Sequence, residues 1–430
     1  MDFVFNLILL FLGQLMLFFI NLMVAREAGE SLFGDFSAAT NFLILMGTLT
    51  TLGIDSIITY YVPKLYVKNK FDQINYLIGS IRAFIQPIYL VIAAFGLLVS
   101  LVLILASQIF INTSLAEITH PFFLFLWGTI VLALYYIVIQ FFRVIGSMQT
   151  AILIGLLQII IYFLLTLVLY TLYYIFNIQR YSHYFVHLML LSFIASYLLI
   201  VILSYFLQKK APLRLYQSYL KGKQKEEWKK KIFGYTVQNL NRFIFTTIPL
   251  LMLELLDTHE SSVGLFSAVM SIITLGIVAV SPISFLISPK ISGAMVRDKE
   301  HLLEILIKYL LIATSISLVV AGTLGLLMDD ILILYKSKFI NALPYAYASL
   351  VNIVLYAITM PIAILMVYSE KGSDIGAKLT ISFIILQITA CAILIYRFDL
   401  LGAIICYVGI NVLYCLAVSF YAVRICRAIK

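Results

Sequence analysis

The chain has 430 residues, of which 63% are hydrophobic and only 11% charged, with a mean hydropathy of +1.07. Soluble domains carry about 25% charged residues, so this composition excludes a water-facing surface and sets most of the exterior against lipid. The formal net charge of +9 does not indicate nucleic acid, because the basic residues stand in short segments between apolar runs, which is how membrane proteins are oriented. A hydrocarbon core about 30 Å thick needs roughly 20 apolar residues per helix, and lipid cannot satisfy the backbone of loops or open strands. Barrel strands would alternate polar and apolar residues. The runs here are continuous, which predicts an all-α membrane protein.

In chain order, the first run, 3–24, lacks the basic leader of a secretory signal and is too long for one, so it is read as a retained span. Eleven more follow near 36–60, 82–107, 121–142, 151–176, 185–207, 232–256, 262–287, 303–328, 343–367, 375–396 and 401–425. The apolar run from Ile74 to Ser107 exceeds one membrane thickness and predicts a lengthened third helix. With twelve spans both termini share a side. The other side then carries only five of the 29 Lys and Arg, namely Arg26, Arg180, Lys336, Lys338 and Arg397. That bias places both termini in the cytoplasm and suits a multi-pass protein of a bacterial cytoplasmic membrane. The densest basic block, Lys209 to Lys231, joins the sixth and seventh spans and is read as a topology anchor on anionic headgroups.

The chain also repeats itself. Glu30-Ser31-Leu32-Phe33-Gly34-Asp35-Phe36-Ser37-Ala38 recurs as Glu260-Ser261-Ser262-Val263-Gly264-Leu265-Phe266-Ser267-Ala268, six of nine positions identical at an offset of 230. After a four-residue slip, Pro63-Lys64, Asp72 and Ile81-Arg82 recur as Pro289-Lys290, Asp298 and Ile307-Lys308. The repeat predicts two six-helix lobes, 1–207 and 232–430, joined by the basic connection 208–231. Six is even, so both lobes enter from the same side, and their pseudo-two-fold axis runs along the membrane normal.

Val24-Ala25-Arg26, Gly34-Asp35-Phe36-Ser37, Gly53 and Pro63, then Gly264-Leu265-Phe266-Ser267-Ala268 and Leu334-Tyr335-Lys336 through Pro344, resemble the multidrug/oligosaccharidyl-lipid/polysaccharide (MOP) exporter superfamily. Within it the chain most resembles Wzx-type O-antigen and polysaccharide flippases. The resemblance implies a MATE-like fold around a central cavity, a polyprenyl-diphosphate-linked oligosaccharide as cargo, and partners among membrane lipids, the polysaccharide polymerase and other assembly proteins of lipopolysaccharide biosynthesis. The family often has Asp-Arg early in the seventh span, where this chain has Asn241-Arg242. Lipid II flippases carry extra arginines on the first two helices, where only Arg26 occurs here, and MATE drug antiporters commonly place an acid in the first helix, which here offers Gln14 and Asn21.

An ionisable side chain at a helix centre costs at least about 2.5–3.5 kcal/mol, which makes it a functional candidate. Arg242 lies eleven residues past Lys231, roughly 15 Å along a helix. Gln238 falls one turn before it on the same face and Thr246 one turn after. Arg242 either holds diphosphate oxygens bidentately or pairs with an acid such as Asp55. Asp55, nine residues before Lys64, is read as an ion-pair partner, a coupling-proton carrier or a contact for sugar hydroxyls. Arg82 and its repeat-mate Lys308 serve as interface anchors or capture the headgroup. Arg26 and Arg143 sit at helix ends, where snorkelling is common, and Arg26 joins the substrate-binding candidates. Pro249, seven residues past Arg242, is a candidate hinge.

No covalent chemistry is expected. The chain has no GK[ST] phosphate loop, HExxH or CxxC, and the four cysteines lie in the last two spans as small hydrophobes. His183 and His187 have no accompanying acid or cysteine, so no metal and no cofactor is expected. The alternatives are another secondary transporter, MATE-like or major-facilitator-like, and a membrane-embedded polysaccharide polymerase or glycosyltransferase. The segment Val62 to Asp72 lacks the major-facilitator loop motif, and the outer connections are too short for a catalytic platform.

Overall fold

A computed structural model describes residues 2–66, 68–109, 125–145, 148–175, 182–208, 227–256, 260–281, 283, 287, 291, 302–368 and 372–429. Among them the ordered elements are all helical. Eight helices are long and apolar enough to cross a bilayer, and the shorter apolar helices Gly128–Val144 and Thr247–Leu256 add to these. Two of the eight are interrupted. Gly29 (φ 81°) divides Asp2–Thr50, and Asp399 (φ 48°) divides Gly372–Ile429. Counted with these breaks and the two shorter helices, the described residues hold twelve apolar helical segments, in keeping with the twelve expected spans. The third helix runs from Phe71 to Ile109, so the excess apolar length is indeed helix.

The repeat is visible in backbone geometry. The second span stops at Thr50, turns through residues 51–53, and resumes as Ile54–Tyr66. The eighth span, Glu260–Val280, stops 230 residues later, with Ser281 in a turn. Different chemistry makes the two stops. In the second span Leu52 (φ 53°) and Gly53 (φ 68°) adopt the left-handed conformation, which glycine enters without steric cost. In the eighth span the stop directly precedes Pro282, and the residue before a proline is driven out of the α region.

The described residues form two compact units, 1–9 with 38–240, and 10–37 with 241–430. Segments 10–37 and 232–240 therefore belong with the other half of the chain. In the first unit, Ile54, Ile57, Ile58 and Val62 pack with Ile74, Ile78, Ile81, Ile137, Phe141 and Trp228. The i, i+3, i+4 spacing puts one face of each helix into this core. Trp228 comes from the end of the basic connection, where Glu227–Lys231 forms a 3-10 turn. Its ring meets Phe84 edge to face at 5.6 Å, and this seats the start of the seventh span in the unit. Leu90, Val91, Leu98 and Leu101 of the third helix stay exposed, as a lipid-facing stripe must. Buried polar pairs tie helices together, among them Gln158 with Ser196 at 2.8 Å.

In the second unit, Gly34 and Gly264, equivalent positions of the repeat, lie against each other. A Cβ on Gly34 would stand 2.9 Å from the Gly264 nitrogen, and one on Gly264 would overlap the Glu30 carbonyl. Small residues permit such close backbone approach in membranes. Phe33, Tyr335 and Phe339 pack beside this contact with ring centroids 5.5–6.0 Å apart. Deeper in the unit, Asn411 donates to Asn352 at 2.7 Å between the twelfth and tenth spans.

Candidate functional site

The stop creates a helix N-terminus within the apolar stretch expected to form the second span, and Asp55 occupies the first turn of the helix that follows. The exposed N–H groups and dipole of such an end favour a carboxylate. The side chain is 5% exposed, so its remaining partners must be protein groups. Asn239 of the seventh span donates from Nδ2 to Asp55 Oδ1 at 2.8 Å, and the Thr51 hydroxyl stands 3.2 Å from the same oxygen. The single Thr51 hydrogen also faces the Thr48 carbonyl at 2.8 Å. Ser56 donates to Asn239 Oδ1 at 3.1 Å, which fixes the amide with its NH₂ toward the acid. The result is a chain from Ser56 through Asn239 to Asp55, closed by Thr51.

Backbone contact holds the two spans in register. A Cβ at Gly53 would lie 2.8 Å from the Thr236 nitrogen and 2.9 Å from the Tyr235 Cβ, so the turn fits only against a glycine. Tyr89 lies nearby on the third helix, its hydroxyl buried without a hydrogen-bond partner. On the Lys64 side, Lys231 Nζ sits 4.5 Å above the Tyr60 ring and 5.7 Å from that of Tyr61. Lys229 sits 5.6 Å from Phe84.

The seventh span is also interrupted. Its helix Ile232–Leu240 passes into a 3-10 turn, Asn241–Phe243, then a turn at 244–246, and becomes α-helical again over Thr247–Leu256. Arg242 is the middle residue of the 3-10 turn. Pro249 stands in the first turn of the new helix, where it has no i−4 hydrogen bond to lose. It therefore starts that segment, and the bend comes before it. In the second unit Asn241 donates to the Tyr414 hydroxyl at 2.9 Å.

Of the residues singled out from sequence, Asp55 lies in this network. The side chains of Arg242 and Gln238 lie outside the described residues, as does any pairing of Arg242. Arg82 is exposed on the third helix, while Ile81 and Ile85 beside it face the core. Lys308 is exposed near the start of Leu302–Leu326. Arg26 is exposed at the end of the first span, and its carbonyl accepts a 3.2 Å bond from Lys336 Nζ. Sequence reasoning missed Asn239, Ser56 and Thr51. An asparagine eight residues into an apolar span, level by count with Asp55, was the available signal.

No known family and no curated protein matches the chain in sequence. Solved structures do match in fold. A multidrug resistance MATE family transporter of the MOP superfamily, in its inward-facing conformation, aligns with a TM-score of 0.72 at 15% identity over 97% of this chain and 95% of that one. A MATE in the straight conformation aligns with a TM-score of 0.68 at 15% identity over 100% and 96%. A MOP superfamily transporter from Pyrococcus furiosus, described as having a binding pocket of reverse polarity, aligns with a TM-score of 0.66 at 15% identity over 100% and 96%. The chain is thus a multi-pass, all-α membrane protein with the fold of MATE transporters of the MOP superfamily.

Proposed function

We propose that this protein is a secondary transporter, not an enzyme. On this reading it moves a polyprenyl-diphosphate-linked oligosaccharide from the cytoplasmic to the outer leaflet of a bacterial cytoplasmic membrane. The observation that carries the transporter reading is the pair of interrupted spans, the second and the seventh, joined through Asp55 and Asn239. Discontinuous helices with polar groups inside the bilayer are the usual construction of transport sites, and the fold likeness runs along the whole chain. The cargo rests on the resemblance to Wzx-type flippases and on the occurrence of Arg242, with its capacity for bidentate phosphate contact, in a non-α stretch of an apolar span. Hydroxyls moved into hydrocarbon cost roughly 4–8 kcal/mol each and an ionised head far more, so the protein must substitute polar and cationic groups for water. One neighbour of this fold is described as having a pocket of reverse polarity and a different function, so pocket charge can vary on this scaffold. Arg82, Lys308, Arg26 and Gln238 are proposed to assist headgroup capture, and Asp55 to carry the coupling proton or the pairing charge.

A second reading, export of drug-like molecules, is favoured by a neighbour described as a multidrug resistance transporter. Purified protein in liposomes, supplied with a fluorescent polyprenyl-diphosphate oligosaccharide, separates the two. The flippase reading expects the lipid to cross, Arg242→Ala to slow it at least about tenfold (about 1.4 kcal/mol), and Arg242→Lys to recover part of the rate. No crossing by wild-type protein, with exchange of a cationic dye against protons, would establish the second reading instead.

A further inference from the structure

The geometry points to a phosphate-binding cleft on the membrane face formed by the odd-numbered connections. The cleft, about 700 Å³, is lined by residues 28–31 of the first connection, Ser261 at the start of the eighth span, and Lys336, Ser337 and Lys338 of the ninth connection. All of these belong to a face that carries only five of the chain's 29 Lys and Arg. Cations are selected against on such a face, yet two of the five line this cleft. A third, Arg26, adjoins it through its carbonyl, which accepts the Lys336 bond.

The backbone that carries the lysines is anchored on both sides. Tyr335 and Phe339 are fully buried, while Lys336 and Lys338 between them are exposed. Tyr335 packs on Phe18 at 5.7 Å and on Phe33 at 6.0 Å, and Phe339 packs on Phe33 at 6.0 Å. This aromatic pedestal fixes the backbone from which both ammonium groups rise and lowers the entropy lost on binding. Ser31, Ser261 and Ser337 place hydroxyls on the same wall. Glu30 is the one acid on the lining, with Glu27 adjoining, and Glu30 Oε1 is buried without a partner. The lining keeps two cations against one carboxylate in a volume typical of small-ligand sites. A phosphate monoester, diester or diphosphate group fits that balance. It can come from an anionic phospholipid of the bilayer or from the head of a diphosphate lipid, and the inference does not depend on transport of either.

The test uses the full chain in nanodiscs of neutral phosphatidylcholine, titrated with inorganic pyrophosphate at physiological ionic strength. Saturable binding is expected. It should weaken at least tenfold in the double variant Lys336→Gln, Lys338→Gln, tighten in Glu30→Gln, and stay unchanged in Lys378→Gln, an exposed lysine elsewhere. Because Glu30→Gln is expected to gain binding, misfolding cannot imitate the pattern. Replacing half of the neutral lipid with phosphatidylglycerol separates the sources. Lost pyrophosphate binding then assigns the cleft to a resident lipid headgroup, and retained binding assigns it to a mobile diphosphate. No binding by wild type, or equal binding in the double lysine variant, would overturn the inference.

Discussion

The two copies of the repeat stop the α-helix at equivalent positions by different means and then part in chemistry. The second and eighth spans stop 230 residues apart, at Thr51 and Ser281. The first copy turns through Gly53 in the left-handed region, and in the second the helix ends just ahead of Pro282 in the sequence. Shortly beyond each stop the copies differ in charge. At the offset of 230 that aligns the two stops, Asp55 in the first copy falls opposite Phe285 in the second, and neither offset of the repeat puts an acid there. A duplicated chain thus retained a backbone device and kept the charge in one copy only. What the stop contributes is common to both copies, and what the acid contributes belongs to one.

The largest expected effect comes from Gly264→Ala. A methyl there would overlap the Glu30 carbonyl, a backbone atom that cannot swing aside, whereas Gly34→Ala meets the Gly264 nitrogen at 2.9 Å. Both should lower the melting temperature of the purified protein, Gly264→Ala by clearly more. Equal shifts would mean that the two repeat helices separate readily and that their contact matters little. Next is Gly53→Ala, which incurs about 1–2 kcal/mol for the left-handed backbone together with contact against the Thr236 nitrogen at 2.8 Å. Loss of both stability and transport is expected, because the same turn sets the Asp55 helix.

Part of this was legible in sequence, and the reason is physical. Apolar length, charge bias and the Glu30/Glu260 repeat are one-dimensional signals, so span count and repeat could be read directly. The partner of Asp55 could not. Its donor comes from a residue 184 positions away, and in an apolar span the ionisable or long polar Arg242 and Gln238 stand out in sequence while a lone asparagine does not. The break in the seventh span, which falls ahead of Pro249, was hidden for a similar reason. A proline marks where a helix can begin as well as where it can kink, and only the 3-10 turn at Asn241–Phe243 reveals which. The unit to which 10–37 belongs was equally hidden, since contacts such as Gly34 on Gly264 are fixed by shape, not by composition.

Asn239→Ala asks whether the charge in the first copy depends on its amide donor. Hydrogen bonds to charged groups contribute about 1.5–3 kcal/mol, and Asp55 is too buried for water to replace the lost one. The single variant should lose stability on that scale. Asp55→Asn added to it should recover part of the loss by removing the uncompensated charge. Melting temperatures of wild type, both single variants and the double variant close the cycle. Strict additivity would mean that Asp55 and Asn239 do not support each other, and that the charge is held by the helix end alone.

The smallest expected effect lies at the edge of the first unit, where the repeat has no say. Lys231 sits 4.5 Å above the Tyr60 ring, an exposed cation–π contact of about 0.5–1 kcal/mol. Lys231→Gln should therefore lower the melting temperature slightly and leave transport intact. Tyr60→Leu should act the same way, and the double variant should cost little more than either alone. Trp228→Ala is the contrasting control, because Trp228 is 3% exposed and part of the first unit's core. If Lys231→Gln proved as damaging as Trp228→Ala, the basic connection would be holding the seventh span by charge, not by its buried indole. Its nine Lys and Arg would then have a structural task beyond orienting the chain in the membrane.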